Sequence, residues 1–241
     1  MIEVSGLTVT YPDGTRALED VGFSIKEGDR VALVGANGAG KSTLLMAMLG
    51  VVAATSGSVN IAGIELSKKN LSAIRAHAGL VLQNPDDQLF CASVFDDVAF
   101  GPRNMGMDEK SVAKRVDSVL ADLDAEKLRD RMPHRLSGGE KRVAAIASVL
   151  AMRPSVMLFD EPTSFLDPKA RRHVAQLLTR LPHTMLIATH DLDMALDICQ
   201  RVIVLQSGKV LSDGPAGKQL CDSELMDSAG LELPLCLGGK I

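Results

Sequence analysis

Aromatic side chains are scarce in this 241-residue chain: they make up 3% of it, with one tyrosine and no tryptophan. A packed core must therefore be aliphatic, built from Leu, Val, Ile, Met and Ala. Positive charge is not in excess either. The chain carries 26 Lys and Arg against 30 Asp and Glu, a net charge of −4, which speaks against a protein whose main task is wrapping nucleic acid. Cys91, Cys199, Cys221 and Cys236 show no C-x-x-C pairing and no His at ligand spacing, so reduced thiols in a cytosol are expected. The opening Met1-Ile2-Glu3-Val4 has neither a basic nor an apolar leader, and no signal peptide is expected. The longest apolar stretches, 44–49 with 51–54 and then 143–152, fall short of the ~18 residues a membrane span needs. Internal repeats, low-complexity runs and long linkers are also missing. These absences predict a soluble intracellular protein that reaches a membrane only through partners.

What is present is a chain that is 46% hydrophobic, enough to pack one large domain or two small ones sharing a core. Residues 2–10 and 21–25 read as strands of an antiparallel layer, separated by the turn Tyr11-Pro12-Asp13-Gly14. Residues 30–34 form a short apolar strand that runs into a glycine loop. Leu44, Leu45, Met48 and Leu49 then recur at helical spacing until Gly50. Residues 57–64 and 78–82 read as further strands. From 83 to about 152 the texture is helix and loop. Asp108 is the expected N-cap of a helix over 109–123, and another helix is expected after Gly138-Gly139. Strand signals return at 156–159, 185–188 and 202–205, with helical stretches between them. That alternation predicts an α/β fold with a parallel sheet buried on both faces, interrupted by a mostly helical insert.

Gly35-Ala36-Asn37-Gly38-Ala39-Gly40-Lys41-Ser42-Thr43 fits the phosphate-loop pattern. ATP brings several negative charges. Backbone N–H groups converging at a helix N-terminus are the densest fixed donors available to meet them. Lys41 adds a point charge for the β- and γ-phosphates, and Ser42 offers a hydroxyl to Mg²⁺. The strand at 156–159 ends in Asp160 and Glu161, at the mouth of a parallel sheet where ligands bind. Asp160 is expected to hold Mg²⁺ through water. Glu161, facing the other way, is the candidate base for an attacking water. His190 ends another strand; it either donates to the γ-phosphate or holds the attacking water. Tyr11 either stacks on adenine or simply flanks its turn. Leu136-Ser137-Gly138-Gly139-Glu140 describes a second anion cradle at a helix start. Two cradles in one chain point to two chains sharing each nucleotide.

Taken together, these residues resemble the ATP-binding cassette (ABC) ATPases over nearly the whole chain. Residues 35–43 look like the Walker A loop, 156–161 like Walker B, and Gln83 like the Q-loop glutamine. Residues 136–140 resemble the signature motif, Ser164-Phe165-Leu166-Asp167 the D-loop, His190 the switch histidine and Tyr11 the adenine-stacking aromatic. Phe165 departs from the pattern, which usually has a small residue there. The resemblance implies a P-loop, RecA-like core with a mostly parallel sheet and an N-terminal antiparallel β layer over 1–82 and 153–241. An inserted α-helical subdomain with the signature motif would span 83–152. It implies ATP and Mg²⁺ as ligands, with Glu161, His190 and Gln83 catalytic and Ser42, Gln83 and Asp160 at the metal. Tyr11, Gly35, Ala36, Asn37, Gly38, Ala39, Gly40, Lys41, Ser42 and Thr43 would bind nucleotide. Ser137, Gly138, Gly139 and Glu140 would act on the nucleotide of a second copy or paralogue in a head-to-tail dimer.

A narrower run, Gln83-Asn84-Pro85-Asp86-Asp87-Gln88-Leu89-Phe90, together with Leu136-Ser137-Gly138-Gly139-Glu140-Lys141-Arg142, is similar to the ATPases of energy-coupling-factor transporters, closest in texture to the cobalt/nickel and biotin types. This implies a transmembrane coupling subunit and a substrate-binding membrane subunit as partners. It also implies a position at the cytoplasmic face of the membrane, no nucleic-acid partner and no direct contact with the transported substrate. Asp86 and Asp87 are either a solvated turn or the coupling surface. Competing readings are the ATPase of an exporter, and a soluble ABC-type switch; the acidic charge and the absence of long coiled-coil inserts count against the switch.

Overall fold

A computed structural model of the chain describes residues 1–236. The elements, in order, are β1 (Ile2–Thr10), β2 (Arg16–Ile25), β3 (Arg30–Val34), α1 (Lys41–Met48), β4 (Ser56–Ile61), β5 (Ile64–Glu65), α2 (Leu71–His77) and β6 (Ala78–Val81). There follow α3 (Val94–Asn104), α4 (Glu109–Asp122), α5 (Gly138–Leu150), β7 (Val156–Asp160), α6 (Pro168–Arg180) and β8 (Thr184–Ala188). The chain continues through α7 (Leu192–Ile198), β9 (Arg201–Gln206), β10 (Lys209–Pro215), α8 (Ala216–Gln219) and α9 (Ser223–Ser228). Among the described residues no helix is long and apolar enough to cross a membrane.

Two compact units emerge. The first gathers Met1–Ala78, Ser155–Glu161 and the described residues from Pro182 onward; the second gathers Gly79–Pro154 and Pro162–Leu181. In the first unit, β2-β1-β4-β5 form an antiparallel layer. The expected strand over 57–64 is in fact a hairpin. Ala62 and Gly63 both take left-handed backbone, with φ of 55° and 80°, the geometry of a two-residue turn that matches strand twist. The other sheet of this unit has the order β10-β9-β3-β8-β7. Its strands β9, β3, β8 and β7 are parallel, and β10 pairs antiparallel with β9. Each residue of β7 and β8 is buried. Such strands, covered on both faces, need continuous apolar runs rather than alternation; Val156-Met157-Leu158-Phe159 and Met185-Leu186-Ile187-Ala188 supply them.

In the second unit the helices follow their caps. The Asp108 side chain accepts from the Ser111 N–H at 3.1 Å, and Val112, Val116, Val119 and Leu120 form the buried stripe of α4. Asp167 caps α6, with Pro168 at its first position, where a missing N–H costs nothing. On α5, Val143 to Ala147 are all buried, and so is Arg142 at 1% exposure.

Candidate functional site

Strand register builds the site of the first unit. Leu33 pairs with Ala188, and Ala188 with Asp160, so β3, β8 and β7 end at one level. The Thr189 N–H donates to the Leu33 carbonyl at 3.0 Å and the Glu161 N–H to the Ala188 carbonyl at 2.8 Å, extending the ladder by one residue. The glycine loop, Asp160-Glu161 and Thr189-His190 therefore leave the sheet side by side. This is the carboxyl edge where open α/β sheets bind ligands.

Two glycines explain the loop's path. A Cβ on Gly35 would lie 2.2 Å from the Leu205 carbonyl oxygen. Gly40 has φ of 106°, and a Cβ there would meet the Ala17 carbonyl oxygen at 2.7 Å. No other residue type lets the backbone turn there at that approach. The loop delivers the chain to α1, whose first turn has no side-chain cap and no acidic residue. Its leading N–H groups are thus left to an anion.

Lys41, 7% exposed, donates to the Gly35 carbonyl at 2.7 Å and the Ala36 carbonyl at 3.4 Å, and its Nζ lies 3.8 Å from Glu161 Oε1. Burial lowers its pKa, while the Glu161 and Asp160 carboxylates push back upward. Glu161 itself has φ of 48°, an uncommon conformation for a side-chain-bearing residue and the kind of strain found at functional sites. Its second oxygen receives the His190 backbone N–H at 3.2 Å and lies 2.7 Å from His190 Nδ1. A carboxylate only accepts, so Nδ1 carries the proton of this contact and Nε2 is left facing away from Glu161. Glu161 is therefore held at one oxygen by an imidazole and approached at the other by an ammonium.

The remaining expected residues of this unit lie on the same loop or beside it. Ala36, Asn37, Gly38 and Ala39 form its outer arm, and Ser42 is half-buried at the second position of α1. Tyr11 is half-buried, with its hydroxyl 3.1 Å from Thr43 Oγ1, which ties the tyrosine to the base of the loop. Hard oxygen donors at Ser42 and Asp160, the latter 5% exposed, suit a magnesium ion.

The second unit holds Gln83, Asp86, Asp87 and residues 137–140. Ser137 and Gly138 are exposed at the start of α5. A full capping box closes that end. Ser137 Oγ accepts from the Glu140 N–H at 3.4 Å, and Glu140 Oε2 accepts from the Ser137 N–H at 2.9 Å. The Ser137 backbone bond, then its hydroxyl, hold the Glu140 pKa down, so this helix start carries a fixed negative charge at neutral pH. Asp86 accepts from Lys141 Nζ at 2.6 Å, while Asp87 is exposed in the same turn. Phe165 stands 90% exposed with φ of 63°, so the departure from a small residue puts a strained aromatic on the surface. Read from sequence, Gln88 and Arg142 carry no individual role, yet they bind the segment around Gln83 to α5. The available signal was an arginine at the head of the apolar run of that helix.

The profile of the ABC transporter family matches residues 18–164. The energy-coupling factor transporter ATP-binding protein EcfA of Carboxydothermus hydrogenoformans is 44% identical, over 97% of this chain and 87% of its own length. Among solved structures, cbiO1 from Clostridium perfringens, described as part of the ABC transporter complex cbiONQ, is 38% identical with a TM-score of 0.84. That match covers 98% of this chain and 97% of cbiO1. The dimeric post-hydrolysis structure of the ATP-binding cassette MJ0796 with ADP and Pi has a TM-score of 0.80 at 31% identity, over 90% of this chain and 99% of that one.

Proposed function

The chain belongs to the ABC transporter family and is an ATPase of that family; from that premise we propose that it powers a membrane importer of the energy-coupling-factor type, carrying cobalt or nickel ions or a vitamin such as biotin. The observation that carries the reading is the Lys41–Glu161–His190 contact beside an uncapped helix start. It gathers a phosphate-binding cation, a base and a water-holding imidazole at one sheet edge.

In this reading the N–H groups of residues 35–43 and the Lys41 ammonium hold the β- and γ-phosphates, and Tyr11 stacks on the adenine. Glu161 takes the proton of the attacking water, while His190 holds that water in place. Ser42, Gln83 and, through water, Asp160 would hold magnesium, which when bound would supply neutralisation of phosphate charge.

Ser137, Gly138, Gly139 and Glu140 of a second copy or paralogue complete each nucleotide site in a head-to-tail dimer. Shifting an open–closed balance from 1:99 to 99:1 needs about 5.5 kcal/mol. A few charge-assisted hydrogen bonds per site, at ~1.5–3 kcal/mol each, supply it. Loss of the γ-phosphate removes those bonds and reopens the pair. Asp86 and Asp87 face the transmembrane coupling subunit at the cytoplasmic side of the membrane. A separate membrane subunit binds the cargo, and this chain touches neither cargo nor nucleic acid.

Uptake by cells tests this. Deleting the chain abolishes uptake of radiolabelled cobalt, nickel or biotin, and the wild type restores it where Glu161→Gln does not. Wild-type uptake of all three in the deletion strain contradicts the importer reading. Charge reversal at Asp87, which leaves the Asp86–Lys141 ion pair in place, abolishes uptake while ATP hydrolysis by the isolated chain persists; unchanged uptake removes Asp87 from the coupling surface.

A further inference from the structure

Arg142 is the largest fully buried side chain among the described residues, and nothing in the chemistry above uses it. A guanidinium buried this deeply is costly to desolvate and is retained only where its hydrogen bonds are well made. Its fork reaches two successive peptide carbonyls: Nη1 donates to Leu82 at 2.6 Å and Nη2 to Gln83 at 2.5 Å. Charge-assisted bonds from one planar group to adjacent carbonyls fix both the position and the tilt of that backbone. Two further side chains grip the same segment. Gln88 Oε1 accepts from the Leu82 N–H at 3.0 Å, while Gln88 Nε2 donates to the Ala145 carbonyl at 2.8 Å and to Ser148 Oγ at 3.0 Å. Lys141 Nζ holds Asp86 at 2.6 Å. Every one of these anchors leads to α5. That helix opens with Gly138, and Arg142 sits four residues on, about 6 Å along the axis and on the same face.

We infer that Arg142 is a positioning residue that, with Gln88 and Lys141, locks the backbone of Gln83 to α5, so that the segment from 82 to 88 and the Ser137-Gly138-Gly139 helix start move as one body. The inference rests on the reading of Gln83 as a catalytic residue given above. Under it, any displacement of α5 on engaging a second copy's nucleotide carries the Gln83 backbone with it. Closure of one site then sets the glutamine of the other by rigid-body transfer rather than through a flexible loop. Arg142 does this through carbonyl groups, which leaves the exposed Gln83 side chain available for chemistry.

The test compares Arg142→Met, Arg142→Lys, Gln83→Ala and the Arg142→Met/Gln83→Ala double variant in the full-length chain. Readouts are steady-state ATP hydrolysis, equilibrium binding of ATP, and amide hydrogen exchange over residues 82–88. Arg142→Met is expected to lower kcat by about tenfold or more while nucleotide affinity stays within about twofold. Exchange should quicken over 82–88 and remain unchanged over α1. In the Gln83→Ala background the Arg142→Met loss should largely vanish, because both act through one group. Arg142→Lys keeps the charge but reaches one point, and should recover only a minor part of the lost kcat. Should Arg142→Met fail to fold, Arg142→Lys carries the same comparisons against the wild type. Unchanged exchange over 82–88, additive losses in the double variant, or full recovery by Lys overturns the inference. Wild-type kcat in Gln83→Ala overturns instead the reading of Gln83, and the exchange data alone then decide whether the clamp exists.

Discussion

The starts of α1 and α5 are both glycine-rich, and both read from sequence as anion cradles, yet they are finished in opposite ways. At α1 the cap is Gly40, which contributes no side chain, the first turn is free of acids, and a buried lysine sits at its opening position. At α5 the cap is Ser137 and Glu140 folds back onto it, so side chains of the same helix satisfy donors at that end and add a negative charge. An end left open binds an anion by itself. An end already capped by its own carboxylate gains little from a free phosphate and suits a geometry imposed from outside. Under the proposed function, one helix start binds nucleotide and the other completes a site that a neighbour has already filled.

Four changes test that division, beginning with the largest effect. Glu161→Gln keeps the Lys41 bonds to the Gly35 and Ala36 carbonyls but removes the ion pair and the base, and kcat should fall about 10²–10⁴-fold with ATP affinity retained. A comparable loss of affinity in calorimetry would place Glu161 in binding rather than chemistry. Gly138→Asp sets a carboxylate at the first position of α5. A Cβ there meets only Leu166 Cδ2, at 3.5 Å, so the fold is spared. Hydrolysis should drop by about 10²-fold while single-chain ATP affinity stays put; weaker binding would make the two helix ends equivalent. Lys41→Ala should do the reverse and weaken ATP binding by about 10–100-fold, measured by titration with a fluorescent analogue.

The smallest effect concerns the cap. Glu140→Ala should cost about 1 kcal/mol of stability in urea unfolding, and Glu140→Gln less, since its amide oxygen still accepts from Ser137. The folded pKa of Glu140 is depressed. Its contribution is therefore present above the ordinary carboxylate pKa and is lost as pH falls through the lowered value. The gap between wild type and Glu140→Ala should close in acid. A gap that instead widened there would contradict the capping assignment.

How much of this could be read from the chain follows from how local each cause is. β3, β7 and β8 announced themselves as unbroken apolar runs, and Asp108 announced α4. The β4–β5 hairpin did not, because its turn relies on Ala62 accepting a positive φ that alanine rarely takes. The candidate ligand residues were legible because phosphate chemistry demands particular residues at fixed spacing. The links between them were not. The approach of Glu161 to His190 depends on the pairing of β7 with β8, and the grip of Arg142 on Gln83 spans 59 positions of sequence. Both are products of the fold rather than of any local pattern.

The claim that each nucleotide is finished by a neighbour's Ser137-Gly138-Gly139 is tested most directly by solution mass with saturating ATP and Mg²⁺. Glu161→Gln should run as a dimer, and adding Gly138→Asp should return it to the 25.6 kDa monomer. A Glu161→Gln/Gly138→Asp chain that still dimerises on ATP would contradict the account.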